Sequence, residues 1–219
     1  MPRQSPASSD ASAEFNLRGE ADYRIAKSLT MISGIVRLQA FRGESTDPQL
    51  VLLEIANRID AVARLHSLLA HSMTGTIQLS KYLEDICERS MRALCSAATT
   101  FAVTCSPEHV VPFRLALPLG LITAELFSNS VKYSHPAGLP LRIWISCRRD
   151  LRDSLTYQYR DDGEGFPENF DVGRDGHVGM RLIKSLSERA RAVHRWSSGP
   201  RGISFEMVAP MAMTPGLSA

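Results

Sequence analysis

Two successive runs of apolar residues at helical spacing occupy the first third of the chain. The first run is apolar at steps of four, three and four residues, at Ile25, Leu29, Ile32 and Val36. This spacing predicts one buried stripe along a helix that extends from about residue 13 to residue 42. Tyr23 lies about 200° around that helix from Ile25, at roughly 100° per residue, so the pattern places its ring off the stripe.

The second run has the spacing of a coiled-coil heptad. Its seam positions follow at steps of three, four, three, four and three, at Leu52, Ile55, Ile59, Val62, His66 and Leu69. A turn from Gly43 to Asp47 separates the runs, Arg42 suits the end of the first helix, and Pro48 suits the start of the second. The sequence therefore predicts a helical hairpin over residues 13–75. Since a lone hairpin leaves half of its stripe in water, we expect a homodimer in which two hairpins form a four-helix bundle.

The pattern changes after residue 75, where helical periodicity and strand-like alternation are mixed. Helices are predicted at SKYLEDICERSMRALC, at LALPLGLITAELFSNSVKYS, entered through Pro118, and at VGMRLIKSLSERAR. Strands are predicted at TTFAVTC, LRIWISCRR, SLTYQYRD, AVHRWSS and GISFEMVAP. Helices combined with a mostly antiparallel sheet predict an α+β fold, with an α/β sandwich over residues 76–210. We expect residues 1–12 to be disordered and residues 211–219 to form a loose tail.

Composition narrows the class of protein without identifying it. The 219 residues are 44% hydrophobic and carry a net charge of +2, which gives no reason to expect a nucleic-acid or membrane partner. No segment has the ~18 consecutive apolar residues of a membrane span, and the start lacks the apolar core of a signal peptide. We expect a cytoplasmic protein in which any sensing comes from another molecule. The four cysteines form no C-x-x-C pair and are expected to be buried thiols: Cys87, Cys95, Cys105 and Cys147.

The segment ELFSNSVKY contains the first candidate chemistry. Glu125, Asn129, Lys132 and Tyr133 are spaced to share one face of a helix. A carboxylate, an amide oxygen and an ammonium on one face can hold Mg²⁺, a water and phosphate oxygens together. A solvated polar face is the alternative interpretation of the same spacing.

Two glycine-containing segments follow. In YRDDGEGFP, Asp161 ends a predicted strand and precedes Gly163 and Gly165, which allow the backbone to approach a ligand closely. A carboxylate beside such a turn can accept a hydrogen bond from the amino group of adenine, although an ordinary strand-end turn has the same pattern. In GHVGMRLI, the glycines, Gly179 among them, stand beside the start of a helix whose first amides can receive phosphate.

In order and spacing, these segments resemble the ATP-binding domain of histidine kinases. The hairpin segments NRIDAVARLHSLLAHS and IQLSKYLEDIC resemble the second dimerisation helix and linker of the histidine-kinase type 2 group, which is related to the HWE kinases. The short spacing between DDGEGFP and GHVGM resembles the shortened ATP lid of that group. The last segment of the resemblance, RGISFEM, departs from the family, since it has Gly202-Ile203 where Gly-Thr is usual.

The resemblance implies a role for each matching residue, with ATP and Mg²⁺ as the bound species. Glu125 would position water or assist phosphoryl transfer, and Asn129 would ligate Mg²⁺. Lys132 would lie near phosphates, and Asp161 would recognise adenine. The glycines that would shape the pocket are Gly163, Gly165 and Gly179.

The first helix departs from the family at the phosphoacceptor. The family has approximately E-x-x-H-R-x-K-N-x-L, and this chain has EADYRIAKSL, so Tyr23 occupies the histidine position. Ala26 and Lys27 replace the usual lysine and asparagine. A phenol with an ordinary pKa of about 10 is ionised in about one molecule in a thousand at pH 7, whereas a neutral imidazole is abundant there. Conventional histidine autophosphorylation at this position is therefore excluded.

Three functions are compatible with this sequence. The favoured one is an ATP-binding, histidine-kinase-like signalling protein of a two-component system or phosphorelay, which regulates or docks response regulators or partner kinases. The second is an active protein kinase that acts in trans, or on Tyr23. The third is a non-catalytic dimeric scaffold with a vestigial nucleotide site.

Overall fold

The structure is a computed structural model that describes residues 7–42, 48–72, 74–94, 99–133, 139–151 and 153–212. Helices occupy the following ranges: α1 Ala7–Arg42, α2 Pro48–Ala70, α3 Leu79–Leu94, α4 Phe113–Lys132, α5 Val172–Asp175 and α6 Val178–Arg189. Strands occupy the following ranges: β1 Thr76–Gln78, β2 Thr99–Cys105, β3 Val110–Pro112, β4 Leu141–Arg149, β5 Ser154–Asp161, β6 Val193–Gly199 and β7 Gly202–Pro210. The predicted turn from Gly43 to Asp47 lies outside the described residues.

The chain divides into two compact units, residues 1–41 and residues 42–219. The first unit contains α1, and the second contains every later element. Helix α2 packs against α3 and α4 within the second unit. The predicted division into a hairpin at residues 13–75 and an ATP-binding domain at residues 76–210 stays a prediction.

Helix α1 begins at Ala7, six residues before the expected start. Among the α1 side chains whose burial the structure describes, Ser28, Ile32 and Ile35 are buried, whereas Ile25 and Leu29 are exposed. Ile32 of the predicted stripe is buried, and burial of Ile25 and Leu29 stays a prediction that depends on the expected second copy of the chain. The Ser28 hydroxyl donates to a backbone carbonyl one turn earlier, at 2.9 Å, and this bond allows a polar side chain to occupy a buried position that an apolar pattern does not reveal.

The second unit is built on a five-stranded sheet with the order β2-β4-β5-β7-β6. Strand β2 runs parallel to β4, and the other neighbours are antiparallel. Alternate residues of β4, β5 and β7 are buried on the face that α3, α4 and α6 cover. The short strands β1 and β3 form a separate antiparallel pair. The predicted α+β sandwich is confirmed, because the period-two pattern of these strands requires one buried and one exposed face.

Helix α4 is the element that places the site. It begins at Phe113, so the expectation that it is entered through Pro118 is wrong, and Pro118 lies inside the helix. Tyr82 of α3 packs against α4 at Gly120. A Cβ at Gly120 would lie 2.0 Å from the Tyr82 hydroxyl oxygen, so only glycine leaves room for the phenol. That hydroxyl donates to the carbonyl of Ala61 in α2, at 3.2 Å. The phenol therefore fixes α2, α3 and α4 against one another.

The cysteines do not all remain thiols. Cys105 and Cys147 are opposite residues on the parallel strands β2 and β4, and they form a disulfide. The expectation of free thiols is therefore wrong at these two positions, because the strand pairing brings together residues that are far apart in sequence. Cys87 is a buried thiol, and burial raises its pKa. Cys95 lies outside the described residues.

Among the residues described, no helix combines the length and apolar character needed to cross a bilayer.

Candidate nucleotide site

A cavity of about 330 Å³ opens between the end of α4, the loop after β5 and the start of α6. It is lined by Asn129, Ser130, Lys132, Tyr133, Asp161, Gly163, Glu164, Gly165, Phe166, Pro167, Phe170, His177, Met180, Trp196 and Ile203. Six of the residues that the sequence singled out meet here: Asn129, Lys132, Tyr133, Asp161, Gly163 and Gly165. Glu125 and Gly179 are not in the lining.

Asp161 is the most tightly held polar residue of the lining. Its Oδ1 accepts hydrogen bonds from the backbone N–H groups of Gly163 and Ile203, at 3.2 and 3.0 Å. Its Oδ2 accepts from the Ser130 hydroxyl at 2.5 Å, and Ser130 Oγ lies 2.8 Å from the Tyr159 hydroxyl. Burial raises the pKa of Tyr159, so its phenol stays protonated and donates to Ser130. A carboxylate has about four acceptor positions, so the three bonds fix its orientation and leave capacity for a ligand.

The turn after Asp161 depends on glycine at Gly165. This residue has a φ of +81°, and a Cβ there would lie 2.4 Å from the carbonyl oxygen of Gly199. The turn therefore comes close to the end of β6 without obstruction. A Cβ at Gly163 would lie 3.5 Å from Asp161 Oδ1, an ordinary contact, so that position is less constrained than its sequence pattern suggests.

Aromatic side chains form a wall that the sequence analysis missed. The Phe166 ring centroid lies 4.9 Å from that of Phe170 and 5.6 Å from that of Trp196. The Trp196 ring centroid lies 4.8 Å from that of Phe205, a buried residue of β7. The three rings that line the cavity come from the loop and from β6, and only the fold brings them together. A wall of this kind is suited to the face of a planar heterocycle.

The opposite part of the lining is polar. Asn129 and Lys132 project from the last turn of α4, and His177 precedes the first residue of α6. The Lys132 ammonium lies 5.6 Å from the Tyr133 ring centroid and 3.9 Å from Glu54 Oε1 of α2. Through the described ranges, no cluster of three His, Cys, Asp or Glu side chains forms a metal site. One amide oxygen, from Asn129, fits Mg²⁺ that arrives with phosphate oxygens and keeps its waters.

Glu125 faces α2 rather than the cavity. Its carboxylate forms two bonds with one guanidinium, from Arg58 Nε to Oε1 and from Arg58 Nη2 to Oε2, the latter at 2.9 Å. Arg58 and Glu125 are 2% and 5% exposed. Burial by itself lowers the pKa of Arg58, but the hydrogen bond and charge of Glu125 outweigh this, and the pKa is raised. A Cβ at Gly179 would lie 2.8 Å from Glu125 Oε2, so this glycine makes room for the paired carboxylate.

Tyr23, which the sequence resemblance aligns with the phosphoacceptor position, belongs to the first unit. Tyr23 is 64% exposed on α1. The Lys27 ammonium lies 5.7 Å from its ring centroid, one turn further along the helix. His66, which the sequence placed on the seam of α2, is half-buried with its ring centroid 5.5 Å from that of Phe113.

Comparison with known proteins gives the following likenesses. Residues 20–94 match the family model HisKA_2, described as "Histidine kinase". The chain is 23% identical over 169 residues to the sensor histidine kinase PdtaS of Mycobacterium tuberculosis, covering 76% of this chain and 33% of PdtaS. It is 29% identical to a blue-light-activated histidine kinase of Brucella anthropi, covering 88% of this chain and 38% of that protein.

A solved structure shares the fold over most of the chain. The histidine kinase domain of the blue-light-activated histidine kinase EL346 from Erythrobacter litoralis matches with a TM-score of 0.69 at 20% identity, covering 90% of this chain and 94% of that domain. The longer structure of the same protein matches with a TM-score of 0.72 at 19% identity, covering 88% of this chain and 60% of that one. The chain spans about a third of the length of PdtaS and of the Brucella protein.

Proposed function

We propose that the chain is an ATP-binding protein of two-component signalling without the usual phosphoacceptor histidine, because residues 20–94 match the HisKA_2 histidine-kinase family model and the chain shares the fold of a solved histidine kinase domain. The observation that carries the proposal is the cavity in which Asn129, Lys132 and Asp161 meet beside a glycine turn. An amide, an ammonium and a buried carboxylate are the groups that Mg²⁺, phosphate and adenine require.

Each part of the lining has a task in this proposal. The remaining acceptor capacity of Asp161 takes the exocyclic amino group of adenine, and Phe166 and Trp196 flank the ring. Lys132 and the first amides of α6 lie toward the phosphates. Asn129 would hold Mg²⁺, which neutralises phosphate charge when bound. The hydroxyl that the family usually has after the last glycine is absent at Ile203, but the backbone N–H of that residue supports Asp161.

Tyr23 at the acceptor position argues against conventional histidine autophosphorylation. Tyr23 offers a phenol where the family has an imidazole, and Ala26 and Lys27 replace neighbouring polar residues. Phosphotyrosine is also a less energetic donor than phosphohistidine toward the aspartate of a response regulator. The protein therefore regulates or docks response regulators or partner kinases, and nucleotide occupancy sets its conformation.

A homodimer is part of the proposal. Leu52 and Ile59 are one heptad apart on α2, and they are 65% and 45% exposed. Large apolar side chains repeated on one helical face indicate a surface that a partner covers. A second copy of the chain supplies the same surface and pairs through it.

Mixing the protein with γ-labelled ATP, candidate response regulators and a partner histidine kinase tests the proposal. We expect no label to pass from this protein to a regulator, and a nucleotide-dependent change in the rate at which the partner kinase labels that regulator. Label on a regulator or on another protein in the absence of the partner kinase would favour the second function, a kinase that acts in trans. A partner rate that is the same with and without this protein would contradict the docking role.

Replacing Tyr23 with histidine is expected to restore at most weak autophosphorylation. The new imidazole would be exposed and mostly neutral at pH 7, but the altered neighbours Ala26 and Lys27 would still lack two contacts. Each such contact is worth about tenfold to 150-fold in rate. Acid-labile label on Tyr23→His is compared with label on a triple variant that also carries Ala26→Lys and Lys27→Asn. We expect stronger label in the triple variant, and acid-stable label on wild-type Tyr23 would contradict this account.

A further inference from the structure

Two charged side chains of α4 are each paired with an opposite charge on α2. Arg58 binds Glu125 through both carboxylate oxygens, and Glu54 lies 3.9 Å from the ammonium of Lys132. Glu54 and Arg58 are four residues apart and share a face of α2. Glu125 and Lys132 are seven residues apart and share a face of α4. Helix α2 therefore presents a charge pattern complementary to the helix that carries the candidate phosphate-handling groups.

The Arg58–Glu125 pair removes the Glu125 carboxylate from the nucleotide cavity. Both oxygens are occupied, both side chains are buried, and Glu125 is absent from the cavity lining while Asn129, one turn later on the same helix, is present. A carboxylate that accepts a proton or orients a nucleophile must be within hydrogen-bond reach of it. In this arrangement the Glu125 carboxylate is bound to Arg58 and forms no part of the cavity lining.

The Glu125 carboxylate also lies next to Gly179, in the first turn of α6. The missing side chain of Gly179, at the start of α6, provides the space that the carboxylate occupies beside Arg58. The same helix begins next to His177 of the lining. A movement of α2 that frees the carboxylate would therefore free it next to the helix start proposed to receive phosphate.

We propose that α2 is a latch on the nucleotide site, in which Arg58 is the positioning residue that keeps Glu125 turned away from the cavity until α2 releases it. The proposal rests on the proposed function, because the latch regulates the same ATP site. Pairing by Arg58 suppresses turnover of bound ATP, and release allows Glu125 to activate a nucleophile. With water as the nucleophile, its oxygen bonds to the γ-phosphorus, the bond to the β–γ bridging oxygen breaks, Glu125 receives the proton, and ADP and phosphate leave.

The test compares ATP hydrolysis by the wild type with that of Arg58→Met. This change removes the pairing charge but retains much of the apolar length of the side chain. We expect kcat to rise about tenfold to 100-fold, at the lower end of what a positioned general base contributes. KM for ATP should change less than about twofold, because no residue of the lining is altered. Adding Glu125→Gln to Arg58→Met should remove the gain, since the released amide cannot accept the proton.

A matched control is available on the same helix. Arg64 of α2 forms an ion pair with Asp85 of α3, and both side chains are about a quarter exposed. Arg64→Met also loosens α2 but leaves Glu125 paired, so its kcat should equal that of the wild type. An equal rise in Arg64→Met, or an unchanged or lower kcat in folded Arg58→Met, would overturn the latch.

A measurement without turnover separates the latch from the proposed function. Labelling of carboxylates with a carbodiimide and an amine, followed by peptide mass spectrometry, should modify exposed Glu168 in every variant, but Glu125 only after Arg58→Met. Rapid labelling of Glu125 in the wild type would overturn the latch even if ATP binds. If calorimetry detects no ATP binding, the proposed function fails, while protection of Glu125 still reports the pairing.

Arg58→Lys keeps the charge and is expected to raise kcat less than Arg58→Met does. Loss of folding in both Arg58 variants would also contradict the proposal, because a latch that opens must be dispensable for the fold.

Discussion

Asp161→Ala is expected to lower the affinity for Mg²⁺–ATP at least about 100-fold, because a hydrogen bond to a charged acceptor contributes about 1.5–3 kcal/mol and the change removes more than one. The missing carboxylate would no longer accept from the amino group of adenine. It would also leave the buried N–H groups of Gly163 and Ile203 without their acceptor, so the turn and the strand beside the base lose their support. Isothermal calorimetry on the wild type and the variant measures the difference.

The neighbouring carboxylate provides the matched control for that measurement. Asp162 accepts a hydrogen bond from the backbone N–H of Arg142 at 2.7 Å and is absent from the cavity lining. Asp162→Ala should therefore bind ATP with nearly the wild-type affinity. Equal affinities in the wild type and Asp161→Ala, with both proteins folded, would contradict the assignment of the adenine site.

Gly202→Ala is expected to destabilise the fold by about 3 kcal/mol and to weaken ATP binding as well. This residue has a φ of +94°, which disfavours any side chain. An added Cβ would lie 2.2 Å from the carbonyl oxygen of Asp161 and 2.5 Å from its Oδ1. The clash therefore falls on the residue that is proposed to recognise adenine. Thermal unfolding followed by circular dichroism and ATP calorimetry measure the two effects.

The glycine on the opposite side of the same hairpin turn gives the comparison. Gly199 pairs with Gly202 across β6 and β7, and a Cβ added there would meet nothing within 4 Å. Gly199→Ala should change the free energy of unfolding by no more than about 0.5 kcal/mol. Similar destabilisation by both changes would show that the close approach to Asp161 does not set the requirement for glycine at position 202.

The sequence predicted best those features that depend on the residue pattern within a single helix or strand. The strand segments predicted a mostly antiparallel sheet in an α+β sandwich, and the fold confirms it. In the structure, alternate residues of β4, β5 and β7 are buried, as the period of two along a strand requires. The predicted start of α4 was wrong because Pro118 was treated as an entry signal. Pro118 lies inside α4 among its buried residues, and the local proline signal does not reveal that position.

The candidate site was predictable in its local motifs and not in its long-range contacts. Asn129 and Lys132 share a helix face by spacing alone, and Asp161 stands at a strand end next to a turn. Arg58 and Glu125 are 67 residues apart, so no local period reveals their pairing. The aromatic wall has the same origin, since Phe166 and Trp196 come from different elements. Spacing predicted a shared face for Glu125 and Asn129, and only the packing of α2 shows that Glu125 is turned away from the cavity.

One measurement tests the central claim, that the chain binds ATP but does not retain a phosphoryl group on a histidine. The full chain is equilibrated with Mg²⁺ and γ-labelled ATP, bound label is counted under native conditions, and covalent label is counted after denaturation in acid and in base. The account predicts about one labelled ATP per chain in the native protein and no base-stable, acid-labile label after denaturation. Absence of bound label, or acid-labile label on any histidine of the chain, would contradict it.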